Sequence, residues 1–216
     1  TAAALAELAP AGSPVGALAA TLAMAFGGAL GPLFSGVVAE LSSAPQMISM
    51  CSAAALAALA AAGVCAVAAP PIRHSVASTT AAGGARHGAP FWQACGAVIL
   101  AFGVQSTFFV VSGPRFAAFM ASHVFLATGV AMAVFMSASG VGMVIGRRVP
   151  ATSSVAMGVA LLPVGTCAFF ALVASAPFVA VLGTVLLAGA GHGLAYVGAL
   201  RRIIFFNDTA TTEVYT

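Results

Sequence analysis

Lysine is absent from this 216-residue chain, and residues 1–202 contain neither asparagine nor aspartate. Charged residues amount to 5%, against 62% hydrophobic, and the mean hydropathy is +1.12. A soluble domain carries charge on roughly a quarter of its residues, so a water-soluble globular fold is excluded. The basic balance reports topology, and no nucleic-acid site is expected from it. Polar–apolar alternation is missing too: the run from Ala53 to Val67 does not alternate, whereas a transmembrane barrel needs strands of about ten alternating residues. Metal-ligand spacing is also missing. Cys51, Cys65, Cys95 and Cys167 fit no C-x2-C pattern and all fall in apolar stretches, where small inert thiols without a disulfide are expected. No metal and no cofactor are expected.

What remains is an all-α integral membrane protein. A bilayer core of roughly 30 Å takes about 20 apolar residues, and six stretches meet that length. The pattern predicts helices over 14–39, 46–69, 91–112, 123–146, 152–174 and 178–200. Proline marks the breaks at Pro45, Pro70-Pro71, Pro114, Pro150 and Pro177, because it lacks an N–H and restricts its predecessor. Arginine gives the orientation. Arg73 and Arg86 follow the second helix, Arg147 and Arg148 the fourth, and Arg201 and Arg202 the sixth; Arg115 alone lies in a loop of the other parity. The positive-inside rule then puts the amino-terminal end in the cytoplasm, and a multi-pass protein of a bacterial inner (plasma) membrane is expected.

The first helix carries Gly27-Gly28-Ala29-Leu30-Gly31-Pro32-Leu33-Phe34-Ser35-Gly36. Gly27, Gly31 and Ser35 repeat at i, i+4, a small face on which a neighbouring helix can approach closely. Pro32 removes a backbone hydrogen bond and bends the helix, which makes it a candidate pivot. The core G-x-x-x-G-P-x-x-x-G resembles the antiporter motif on the fifth helix of major facilitator superfamily transporters, with Ser35 replacing the first glycine of the usual closing pair. Two further stretches extend the resemblance. Gly142-Met143-Val144-Ile145-Gly146-Arg147-Arg148 stands where the family repeats a cytoplasmic glycine-and-arginine motif, without its acidic residue. Gly189-Ala190-Gly191-His192-Gly193 is similar to the family's glycine-rich tenth helix.

The resemblance implies helices five to ten of a twelve-helix, two-lobe transporter. Residues 1–69 would hold the last two helices of the amino-terminal lobe, 70–90 the cytoplasmic linker between lobes, and 91–202 the first four helices of the carboxy-terminal lobe. It further implies secondary active transport by alternating access, with proton-coupled efflux of small apolar or amphipathic molecules as the expected activity. The partners would be the lipid bilayer, a small-molecule substrate and protons. Metabolite uptake by the same frame, or a fragment with no activity of its own, are the alternatives.

Few residues can carry such chemistry. His192 is the titratable side chain deepest in a span, nine residues before Arg201 and so roughly 13 Å along the helix from it. It is a possible proton relay or substrate ligand, with packing against a carbonyl as the ordinary role. Gln105 and Thr107, on the third helix, are possible cavity residues because the resemblance makes this the cavity-lining seventh helix. An amide in lipid must find a partner, and substrate contact and interhelical bonding stand equally open there. Glu40 sits at the outer end of the first helix, suited to solvation or a gating contact. An enzyme of the intramembrane serine protease class would need a G-x-S-G turn and a histidine on a neighbouring helix; Ser137-Ala138-Ser139-Gly140 comes near but has Ser137 in the first glycine's place. If the pivot reading holds, Gly31→Leu in the complete twelve-helix parent abolishes transport while leaving protein inserted.

Residues 203–216 break with the rest. Ile203 to Thr216 hold the chain's only asparagine and only aspartate, and the segment resembles the conceptual translation of sequencing-adapter DNA. It is read as a non-native tail and left out of fold reasoning.

Overall fold

Residues 15–66, 89–120 and 123–212 are described by a computed structural model, and everything described is helix or short connection. The inter-lobe linker expected at 70–90, with Arg73, His74, Arg86 and His87, lies outside the described residues apart from its last two, and so does Glu7. Six helices follow one another: α1 (Val15–Glu40), α2 (Pro45–Ala66), α3 (Ala89–Ala117), α4 (Val124–Gly146), α5 (Ala151–Leu172) and α6 (Phe178–Thr212). All six are long and apolar enough to cross a membrane.

Proline explains the boundaries only in part. Pro45 opens α2, Pro150 caps α5 and Pro177 immediately precedes α6, positions where its missing N–H costs nothing. The break expected at Ser112-Gly113-Pro114 does not occur: α3 runs through Pro114 to Ala117. Pro32 and Pro163 likewise lie inside helices. In lipid a continuous helix satisfies more backbone groups than a turn does, so losing one hydrogen bond is the smaller cost. The last helix also differs from expectation. Its backbone continues past Arg201-Arg202 into the tail as far as Thr212; no glycine or proline stands between Leu200 and Thr212 to stop propagation.

The helices are not equal partners. In α6, 56% of the span Phe178–Arg202 is buried, against none of Pro45–Gly63 in α2. Lipid supplies no hydrophobic drive between helices, so close packing must hold them, and α6 is built for contact on two sides. Toward α4, a Cβ on Gly189 would strike the carbonyl of Phe135, and one on Gly193 the carbonyl of Ser139. Gly142 of α4 lies in turn against the Ala190 carbonyl. Toward α5, Gly191 meets the backbone of Leu162, Gly198 meets Val155, and Gly158 and Gly165 of α5 press on Ala195 and Ala188. Ser154 of α5 donates to the Leu194 carbonyl at 2.8 Å.

Bulk fills what the glycines leave. Phe108 and Phe116 of α3, Phe135 of α4 and Phe169 of α5 are fully buried. Their rings meet at 5.2 Å (Phe108–Phe135), 5.0 Å (Phe108–Phe169) and 6.3 Å (Phe116–Phe169), spacings at which aromatic pairs attract. Thus α3–α6 form one packed group. α1 rests on it through α4, and α2 packs on α1 alone among the larger helix contacts.

Candidate functional site: a polar layer between α3, α4 and α6

Three buried polar side chains stand well inside their spans: Gln105 on α3, Ser139 on α4 and His192 on α6. Each is held there by its helix. Gly193 draws α6 onto the carbonyl of Ser139, and this close crossing brings the neighbouring His192 to the Ser139 hydroxyl, with Nδ1 and Oγ 2.9 Å apart. The expected carbonyl partner for His192 is therefore replaced by a hydroxyl on another helix. Phe102 meets the imidazole edge-on at 5.5 Å, Phe135 at 5.7 Å, and Tyr196 stacks parallel to it at 6.4 Å. The Tyr196 hydroxyl reaches Met24 Sδ of α1 at 3.8 Å.

Two atoms in this layer have no hydrogen-bond partner among the described residues: His192 Nε2 and Gln105 Oε1. A buried polar atom without a partner costs roughly 1–3 kcal/mol. Gln105 stands one turn from Phe102, which touches His192, and one turn from Phe108, which stacks on Phe135. Phe135 in turn touches His192. The two unpartnered atoms thus belong to the same level of the bundle, walled by aromatic rings. Gln105 Oε1 can only accept and calls for a donor, such as a hydroxyl or amine. His192 Nε2 calls for an acceptor when the ring proton sits on it, as it does if Nδ1 accepts from Ser139, and for a donor in the other tautomer.

Not every expected residue joins them. Thr107 is exposed and its hydroxyl donates to the Gly103 carbonyl of its own helix at 3.0 Å; Ser106 does the same to Phe102 at 2.8 Å. Self-satisfaction within one helix is the usual refuge of hydroxyls in lipid, and it removes Thr107 from the layer. The partnership of Ser139 with His192 could not be foreseen from spacing, since 53 residues separate them. Ser139 and His192 are placed like a nucleophile and its base. However, Ser139 lies within the regular helix α4, so the backbone N–H groups around it are spent on helical bonds and form no oxyanion hole. Ser139→Ala is expected to destabilise the fold by about 0.6 kcal/mol and at most about 1.7, the range for interhelical hydrogen bonds in membranes. Unfolding of the protein in mixed detergent micelles measures it.

The glycine motif of α1 is used on a different face from the one its spacing suggests. Nothing lies within 4 Å of a Cβ on Gly27 or Gly31. The close approach is made one residue further on. A Cβ on Gly36 would come 2.7 Å from the Phe125 carbonyl, and one on Gly129 of α4 would come 2.7 Å from the Pro32 carbonyl. Gly28 faces Met136, and Gly140 faces Ala25. Gly28, Pro32 and Gly36 therefore form the seam with α4. Gly31 and Ser35 instead line an apolar groove of about 780 Å³ toward α2, where Ser49 donates weakly to the Ser35 carbonyl at 3.5 Å.

At the opposite end, Gly142 and Gly146 are packing glycines against α6; Gly146 lies against Val197 and Ser154. Arg147 is half-buried and Arg148 exposed. The residue that organises this turn is Arg201, which composition alone does not single out. Its guanidinium donates to the carbonyls of Gly146 at 3.0 Å, Arg147 at 3.4 Å and Val149 at 2.8 Å, closing the carboxyl end of α4 where free carbonyls and the helix dipole favour a cation. Cys51 and Cys167 are exposed on the helix surfaces and Cys95 is half-buried; burial within the protein is thus not what surrounds Cys51 and Cys167, and the side chain of Cys65 lies outside the described residues.

These features describe a multi-pass, all-helical membrane protein with a buried polar layer. No protein-family model, curated protein or solved structure matches the chain.

Proposed function

We propose that these helices are the fifth to tenth of a major facilitator-type secondary transporter, exporting small apolar or amphipathic molecules by alternating access in exchange for protons. The observation that supports this reading best is the seam between α1 and α4. Alternating access needs two bodies that touch along a narrow contact able to tilt. Here backbone meets backbone at Gly36 and Gly129 beside Pro32, and the Met136 side chain, which lies against Gly28 further along the seam, is flexible. On one side of the seam stands the tightly packed group α3–α6; on the other stand α1 and α2.

The polar layer supports the substrate class. Gln105 and His192 offer two unpartnered atoms among Phe102, Phe135 and Tyr196, groups of the kind that would contact a mostly apolar molecule with one or two polar groups if the layer opened. An ionisable residue inside a span is a functional site by default, and His192 fills that role. A serine hydrolase is less well supported, since Ser139 lacks oxyanion donors. An uptake permease could use the same frame, but the antiporter-like motif of α1 favours export.

Inverted membrane vesicles from bacteria producing the complete transporter to which these helices belong test the proposal. Energised vesicles should accumulate an amphipathic fluorescent dye, and a protonophore should abolish the accumulation. Accumulation indifferent to the protonophore contradicts proton exchange. Absence of transport across apolar and amphipathic dyes alike contradicts export.

A further inference from the structure

The outer ends of α1 and α4 are joined by a single carboxylate. Glu40, the last residue of α1, places Oε1 2.9 Å from His123 Nδ1 and accepts from the Leu126 backbone N–H at 3.3 Å through Oε2. The first turn of any helix leaves N–H groups without partners. In α4 the residue at the cap position, His123, makes no capping bond with its own side chain, so the cap comes from another helix. Glu40 is misplaced for α1 itself, because a negative charge at a helix carboxyl end opposes the dipole. The same charge at the amino end of α4 is favourable. Its position is therefore explained by α4, which it caps, and not by the helix that carries it.

We propose that Glu40 is the outer latch of the α1–α4 seam: its paired bonds to His123 and Leu126 hold the extracytoplasmic ends together, and their rupture is the step that lets those ends part. The placement supports a latch more than a static brace. The contact sits at the very end of the seam, one helical turn beyond the Gly36–Phe125 approach, where a small change of helix angle gives the largest separation. The His123 side chain is 57% exposed and that of Glu40 21%, so water can take over both partners once the ends move. An exposed ion pair alone contributes little; a shared cap that is replaced by water on opening is the arrangement of a reversible contact. The latch opens a gate only if α1 and α4 belong to two moving bodies, so its role in transport rests on the reading above.

Spin labels on Ser43→Cys and Val124→Cys, with the four native cysteines replaced, report the separation by pulsed electron resonance in the full-length protein in lipid nanodiscs. The unmodified latch should give one dominant short distance. Glu40→Ala should shift the population to a longer one. Glu40→Gln keeps an oxygen able to cap Leu126 but loses the charge, and should fall between; it also serves if Glu40→Ala fails to insert. An unchanged distribution in both variants overturns the latch. A longer distance accompanied by unaltered dye transport keeps the latch and overturns its place in a transport cycle.

Discussion

Gly193→Ala is expected to destabilise the protein by about 3 kcal/mol, the upper end for overpacking a close contact. The added methyl would fall on the carbonyl of Ser139 and within 2.8 Å of its carbon. Neither is the end of a flexible side chain, so the only relief is to move α6 away from α4. Separation of the helices would also lengthen the Ser139–His192 hydrogen bond, now 2.9 Å, and loosen the ring contacts of Phe135 with His192. Gly183→Ala on the same helix is the control, since nothing lies within 4 Å of its Cβ; it should be neutral or stabilising by up to about 1 kcal/mol through helix propensity. Unfolding curves in mixed micelles measure both. Equal stability of the two variants would mean that the α4–α6 crossing is not close-packed.

Gly36→Leu is expected to abolish transport while the protein still inserts. A leucine at this position must displace Phe125 and Gly129 of α4, 2.7 and 3.2 Å from the new Cβ, and so would wedge the α1–α4 seam open or jam it. The cost in stability is about 1–3 kcal/mol, small enough for most of the protein to fold because α3–α6 are packed independently of this contact. Gly31→Ala should behave as the unmodified protein: its Cβ would enter open space beside the groove toward α2. The spacing argument alone places the sensitive glycine at Gly31; the packing moves it to Gly36.

That displacement shows what was legible in the chain and what was not. The six spans could be read because length and hydropathy are properties of a segment by itself, and the turns at Pro45, Pro150 and Pro177 because a missing N–H acts locally. Which face of each helix meets a neighbour could not be read. In lipid both the buried and the exposed faces are apolar, so the 3.6-residue periodicity that marks a soluble helix is absent; exposed Phe26, Leu30 and Phe34 look no different in sequence from buried Phe108 and Phe135. Gly27 and Gly28 are adjacent, and only the position of α4 decides between them. Gly189, Gly191 and Gly193 stand at alternate positions of one helix, and only the packing shows that Gly189 and Gly193 meet α4 while Gly191 meets α5.

The polar layer was half legible. His192 and Gln105 stand out because a polar side chain inside a span needs a reason. Their partners do not stand out: Ser139 is one of many small hydroxyl residues, and a hydrogen bond across 53 positions depends on how two helices cross. Thr107 stays outside that layer for the same kind of reason: its hydroxyl bonds its own helix, and whether a hydroxyl does so leaves no trace in sequence. Glu40 and Arg201 show the converse. Each closes the end of a helix to which it does not belong, and only the fold reveals which end that is.

Dye accumulation by energised inverted vesicles is the most direct test, comparing the complete transporter unmodified, with Gly31→Ala and with Gly36→Leu, at matched membrane levels. The first two should accumulate dye equally and Gly36→Leu should accumulate none. Undiminished accumulation by Gly36→Leu would contradict a seam that must move for transport.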